Sequence, residues 1–197
     1  MDFKEIAKTV RKQLVKEHDD YRIQYCSADY IETMVKNFKL LGEILQQYYG
    51  DSTFGDIGSG LGLFKHANPD LDIFNWDMLK RDEFYNEMQV TEVQGWYGDY
   101  TKEDFHIYMD PIPKQDILVV SRAIEKSMFS DIETFKKVMK NVSRFCNDEI
   151  FIYQQHFPGR PKEVKSFLQH NSTLLVKNNS TENVLICSFA VDTINRW

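Results

Sequence analysis

A chain of 197 residues fits one domain, or one domain with a small appendage, since domains run to about 100–200 residues. Its residues are 42% hydrophobic and 27% charged, enough for an ordinary globular core, and 24 basic against 30 acidic side chains leave a net charge of −6. That balance gives no broad electrostatic reason to bind nucleic acid or an anionic membrane, although a local patch is still open to nucleic acid or protein.

Three cysteines, Cys26, Cys146 and Cys187, are odd in number and form no C-x-x-C pair. They argue against a disulfide framework and against a zinc site. Met1-Asp2-Phe3-Lys4 does not begin a secretory signal, and no apolar run approaches the ~20 residues of a membrane span. The expectation is a cytoplasmic protein with reduced thiols and no membrane segment; its oligomeric state is not legible.

The first segment, 1–49, reads as two helices forming an N-terminal cap or lid. Asp2 and Glu5 have capping-box spacing, and Phe3, Ile6, Val10 and Leu14 recur at helical intervals. Lys4, Lys8, Arg11, Lys12 and Lys16 fall on the other face, as on a solvated helix. Tyr21 to Ser27 reads as a connector, with Ser27 as an N-cap. From Ala28 to Tyr49, Ile31, Met34, Val35, Phe38, Leu41, Leu45 and Tyr48 form a broad apolar stripe suited to packing on a sheet.

After Gly50 the pattern changes to short apolar runs separated by helix-compatible stretches, which predicts an α/β core over 50–197 with a largely parallel sheet. Strands are predicted at Thr53–Ile57, Leu71–Asp77, Thr91–Trp96, Gln115–Ser121 and Glu149–Tyr153. The fourth is a continuous apolar run, as in a strand buried on both faces. The helix after the first strand must be short, because Pro69 follows Gly62 by seven residues. Ser130 and Glu133 open a helix continued by Ile132, Phe135, Val138, Met139 and Val142. Thr173–Val176 and Val184–Phe189 flank the polar stretch Lys177–Asn183 and should pair as an antiparallel hairpin.

Chemistry concentrates in Thr53-Phe54-Gly55-Asp56-Ile57-Gly58-Ser59-Gly60-Leu61-Gly62-Leu63-Phe64. This is a buried strand, a tight turn and the start of a helix. Glycines there supply positive φ and let a ligand lie on the backbone. A dinucleotide fingerprint would place its third glycine at position 63, where this chain has Leu63, and Asp56 would repel an anionic pyrophosphate while suiting a cationic ammonium or sulfonium. The bland alternative is a glycine-rich turn without a ligand.

These residues resemble the first motif of the class I S-adenosylmethionine (SAM)-dependent methyltransferases, an acid-x-G-x-G-x-G turn that holds the cofactor's methionyl end. The resemblance covers roughly residues 50–190. It implies a three-layer Rossmann-like sheet of order 3-2-1-4-5-7-6 with the last strand antiparallel, and SAM as cofactor. Asp56, Gly58, Ser59, Gly60 and Gly62 would hold the cofactor at the first strand end. Asp77, 21 residues after Asp56, would accept hydrogen bonds from the ribose hydroxyls, with Met78 against the adenine. Asp99 matches the position that reaches the adenine amino group, and Tyr100 and Ser121 complete the cofactor set.

Methyl transfer from a sulfonium is an in-line displacement, so positioning outranks acid–base machinery. Where the acceptor must lose a proton, His156 is the first candidate base and Glu125 the second, both just beyond predicted strands. Neither His66 nor His106 has metal-ligand spacing, and no metal is expected. Signatures of adenine- or cytosine-amino methylation are missing: the fourth strand ends in Ser121-Arg122-Ala123, and Asp110-Pro111-Ile112-Pro113 reads as a loop. Neither core cysteine follows a proline, so the cytosine-C5 nucleophile pattern is missing too. The expected activity is methyl transfer to an unidentified acceptor, with a small molecule preferred. The alternatives are a non-catalytic SAM-binding protein serving as a regulatory or assembly partner and, behind it, a nicotinamide-dependent oxidoreductase.

Overall fold

The computed structural model describes residues 28–77, 94–95, 113–121, 131–155, 162–177 and 184–197. Expectations for 1–27, including the first helix and the Ser27 cap, lie outside these residues. The elements run α1 Ala28–Tyr49, β1 Phe54–Ile57, α2 Leu63–Ala67, β2 Ile73–Asp77, β3 Gln94–Gly95, β4 Gln115–Ser121, α3 Ile132–Ser143, β5 Cys146–Gln155, α4 Lys162–Asn171, β6 Thr173–Lys177, β7 Val184–Ala190 and α5 Val191–Asn195.

The strands form one sheet of order β3-β2-β1-β4-β5-β7-β6. β1 pairs in parallel with β2 and β4, and β3 and β5 extend the parallel run on either side. β7 is antiparallel to both β5 and β6, so the predicted hairpin forms and its second strand inserts next to the parallel core. This is the strand order the family resemblance implies. Strand order reverses between β1 and β4, the place where an open α/β sheet leaves a crevice at its carboxyl ends.

Alternation along each strand divides the core into two layers. On one face Phe54, Ile73, Ile117, Val119, Phe151 and Tyr153 meet the buried stripe of α1, Ile31, Met34, Phe38, Leu41 and Leu45, together with Phe64 of α2. On the other, Ile57, Trp76, Leu118, Val120, Ile150 and Ile152 meet α3, α4 and α5 through Phe135, Val138, Val164, Leu168 and Ile194. Burial of one such large side chain stabilises the fold by about 1.5–3 kcal/mol. The α1 stripe predicted from periodicity is therefore the covering layer of the β1 face except at Tyr48, which lies one residue from the end of α1 and is exposed, and that helix shares one core with the sheet.

α2 has five residues, as the spacing to Pro69 requires. It is fixed to α1 by Asn68, whose Nδ2 donates to the carbonyls of Phe38 at 2.9 Å and Phe64 at 3.0 Å. Gly42 makes that contact possible, because a Cβ there would lie 1.9 Å from Asn68 Oδ1. α3 begins at Ile132 and its cap is Asp131, not Ser130: the Asp131 carboxylate accepts from Thr134 N–H at 2.7 Å and from Thr134 Oγ1 at 2.8 Å. β5 starts at Cys146, three residues earlier than the apolar run suggests, because Gln115 of β4 pairs with Cys146 and draws the polar residues between into the strand. No helix among the described residues is long and apolar enough to cross a membrane.

Candidate functional site

The glycine turn connects the carboxyl end of β1 to α2. Gly58, Gly60 and Gly62 have φ of 74°, 54° and 73°, in the left-handed region that other residues adopt at a cost. Each of the three alternate glycines is thus required by the backbone. Gly58 N–H and Ser59 N–H both donate to the Trp76 carbonyl at 2.9 Å, which ties the turn to the last residues of β2. Gly62 N–H donates to the Ser59 carbonyl at 2.9 Å and closes the loop before α2 starts.

Space lies over the middle of this turn. A Cβ built on Gly60 would have no atom within 4 Å, whereas one on Gly42 would collide with a neighbour. Gly60 is a glycine for its φ, and the room beside it is available to a ligand. Leu63, the residue that departs from a dinucleotide fingerprint, is buried in the core with α1.

Two carboxylates flank the opening. Asp77, at the end of β2, is buried, and its Oδ2 accepts from Gly60 N–H at 2.5 Å. Asp56, at the end of β1, is 1% exposed, and among the described residues neither of its oxygens has a hydrogen-bond partner. Burial, and then the charge of Asp77, hold its carboxyl well above the ordinary carboxylate value of 3.8. Ser59 Oγ is likewise buried and without a partner.

A buried carboxyl with two empty oxygens is costly, and native proteins leave few such groups unpaired. Placed beside an open glycine turn at the sheet's switch point, it fits a ligand that brings its own donors and a positive charge. An anionic pyrophosphate fits it badly.

Of the sequence-derived candidates, the turn brings together Asp56, Gly58, Ser59, Gly60, Gly62 and Asp77. Ser121 is the last residue of β4, the strand neighbouring β1. Met78, Asp99, Tyr100, Glu125 and His156 lie outside the described residues. Cys146 and Cys187 are buried on the α3 face, where desolvation pushes their thiols up to about 11 and about 12. Among the described residues no group of His, Cys, Asp and Glu is arranged to hold a metal.

One link escaped sequence reasoning. The Asp77 bond to Gly60 makes the second strand end a structural brace for the first, and a spacing of 17 residues between an acid and a glycine carries no local signal.

The chain has the Rossmann-like fold of the class I SAM-dependent methyltransferases. Magnesium protoporphyrin IX methyltransferase (ChlM) from Synechocystis PCC 6803, with bound S-adenosylhomocysteine (SAH), superposes at a TM-score of 0.54 and 10% identity over 94% of this chain and 99% of that one. The N-terminal domain of EvdMO1 with SAH bound gives 0.54 and 14% over 96% and 97%. N-methyltransferase NodS from Bradyrhizobium japonicum WM9 gives 0.52 and 12% over 80% and 96%. No family model matches the sequence, and no curated protein matches it at the sequence level.

Proposed function

We propose that the protein is a SAM-dependent methyltransferase acting on a small molecule. The observation that carries this reading is the unpartnered, buried Asp56 carboxyl beside the open, positive-φ turn at Gly60. The fold supports it, since ChlM and NodS are methyltransferases by name, and ChlM and the EvdMO1 domain are seen with SAH.

In this reading Asp56 receives the ammonium of the cofactor's amino-acid end, and the backbone of Gly58, Ser59, Gly60 and Gly62 carries that end across the turn. Asp77 keeps the turn in place through Gly60 N–H and is the proposed acceptor for the ribose hydroxyls. When bound, SAM supplies an activated methyl on a sulfonium; the protein's own task is to align an acceptor and keep water out. Met78, Asp99, Tyr100 and Ser121 are proposed around the adenine and the methionyl group, His156 and then Glu125 as the base, and the 1–49 segment as a wall of the acceptor pocket. Net acidity favours a small molecule over nucleic acid.

The test is methyl release, read as SAH formed from SAM over pooled metabolites, with nucleic acids and proteins as separate pools. Turnover with the metabolite pool is the expected result. Turnover confined to a macromolecular pool overturns the acceptor class, and calorimetry showing no SAM or SAH binding to folded protein overturns the whole reading.

A further inference from the structure

Asp56 is unlike the other described carboxylates in having neither solvent nor a donor. The sheet face it shares with Phe54 is covered by α1 and α2, whose buried residues there, among them Ile31, Phe38, Leu63 and Phe64, are apolar. Its register neighbours are Asn75 on β2 and Val119 on β4, both uncharged. Lys65, the nearest cation in sequence, is engaged by the carbonyls of Pro69 and Leu71. Among the described residues the ionisable group that acts on Asp56 is Asp77, a like charge buried at the next strand end and occupied with Gly60 N–H.

A carboxyl in such a position keeps its proton while nothing cationic is near, because the ionised form has neither water nor donors to stabilise it. A ligand ammonium supplies both a positive charge and N–H donors.

We propose that Asp56 is a proton-coupled receptor for the ligand's ammonium group: protonated in the free protein, it releases its proton to solvent as the ammonium seats. The O–H bond of the carboxylic acid breaks, the proton passes to the buffer, and the carboxylate oxygens accept hydrogen bonds from an ammonium that stays protonated throughout. Binding is then linked to pH. Acid favours the protonated, free protein, so affinity falls as pH drops, approaching about tenfold per unit where Asp56 is fully protonated before binding. Asp77 sets where this happens, since its charge helps keep the proton on Asp56. The inference rests on the proposed cofactor site and adds to it a charge-selection step.

The experiment is calorimetric titration of the full chain with SAH in two buffers of different ionisation enthalpy, over about pH 5.5 to 8. The control ligand is methylthioadenosine, the same nucleoside thioether without the amino-acid end. The expected result is an apparent enthalpy that depends on the buffer for SAH, reporting up to one proton released, and no such dependence for methylthioadenosine. Asp56→Asn should bind SAH about thirtyfold or more weakly and without proton release. Asp77→Asn, which removes the like charge, should move the release profile to lower pH.

SAH binding with no proton release at any pH in the range, or equal release with methylthioadenosine, overturns the proton coupling and leaves the cofactor site standing. No SAH binding to folded wild-type protein overturns both. The wild-type comparison of the two ligands decides the question even where a variant fails to fold.

Discussion

Asp56 and Asp116 occupy adjacent parallel strands of one sheet, the first at the closing end of β1 and the second at the opening of β4, and their carboxyls are treated in opposite ways. Asp116 is half-exposed and fully employed. Its Oδ2 accepts from Thr53 N–H and Thr53 Oγ1, each at 2.9 Å, and its Oδ1 accepts from Asn147 Nδ2 at 3.0 Å. Those bonds, the Thr53 N–H first, hold its carboxyl below the ordinary value. Asp56 is buried, unbonded and held well above that value. The same side chain is a fastener at one end of the sheet and, in the proposed function, a receptor at the other. What separates them is the supply of donors: the opening end of β4 is closed by the chain itself, while no donor among the described residues reaches Asp56 at the closing end of β1.

The largest effect should come from breaking the receptor. Asp56→Asn should cost about 2–5 kcal/mol of SAH affinity, the range for removing one partner of a buried charge pair. Its effect on the ligand-free protein should run the other way. A group whose folded pKa is raised contributes stability that is full below its unfolded pKa, near 3.9, and is lost as pH rises through its folded pKa. Wild-type stability, measured by urea denaturation without ligand, should therefore decline with rising pH above the ordinary carboxylate range, and Asp56→Asn should flatten that decline. An unaltered pH profile in the variant would mean that folding does not hold the Asp56 carboxyl above its ordinary value.

Next in size is the brace. Asp77→Ala removes the acceptor for Gly60 N–H and the proposed acceptor for the ribose, and should weaken SAH binding by about 1–3 kcal/mol. Affinity equal to wild type would show that the end of β2 does not reach the ligand.

Asp116→Ala should separate the two ends. Removal of the fastener leaves Thr53 N–H without its side-chain partner and should lower unfolding free energy by about 1 kcal/mol at neutral pH, modest because the site is half-exposed. With a depressed folded pKa, this contribution is full above about pH 4, the unfolded value, and is lost as pH falls through the folded one, so wild type and variant should converge in strong acid. SAH affinity should not change. A variant that loses affinity along with stability would mean that the two ends of the sheet are coupled.

Much of this contrast was legible in the residues before any fold was known, and the part that was not has a physical reason. Gly58, Gly60 and Gly62 declare themselves because positive φ is a local demand met by one residue type, and the strand ends at Asp56 and Asp77 stand out as acids closing apolar runs. The turn and the two strand-end acids were therefore readable. The fastener was not: Thr53 and Asp116 are 63 residues apart and meet only because β1 and β4 pair.

The elements of the α3 side escaped for similar reasons. α4 offers Val164, Phe167 and Leu168 in ten residues after Pro158 and Pro161, too few for a periodic signal. α5 has five residues and is held by tertiary contact, with Ile194 buried and Trp197 stacked edge-on to Phe167 and Phe189. Ser130 and Asp131 are both good caps, and only the bonds to Thr134 choose between them.

The smallest expected effect tests how the fastener divides its load. Asn147 is exposed and contributes one hydrogen bond, to Asp116 Oδ1, while Thr53 supplies two to Oδ2. Asn147→Ala should therefore cost only about 0.5 kcal/mol, the low end for a hydrogen bond, because water replaces the lost donor. Asp116 would keep its bonds from Thr53, so its carboxyl should rise toward the ordinary value without reaching it, and the acid limb of the stability curve should shift slightly upward in pH. Urea midpoints at neutral pH and in acid measure both quantities. A loss as large as that of Asp116→Ala would move the weight of the fastener from β1 to the start of β5, and the opening end of the sheet would then be locked by Asn147 rather than by Thr53.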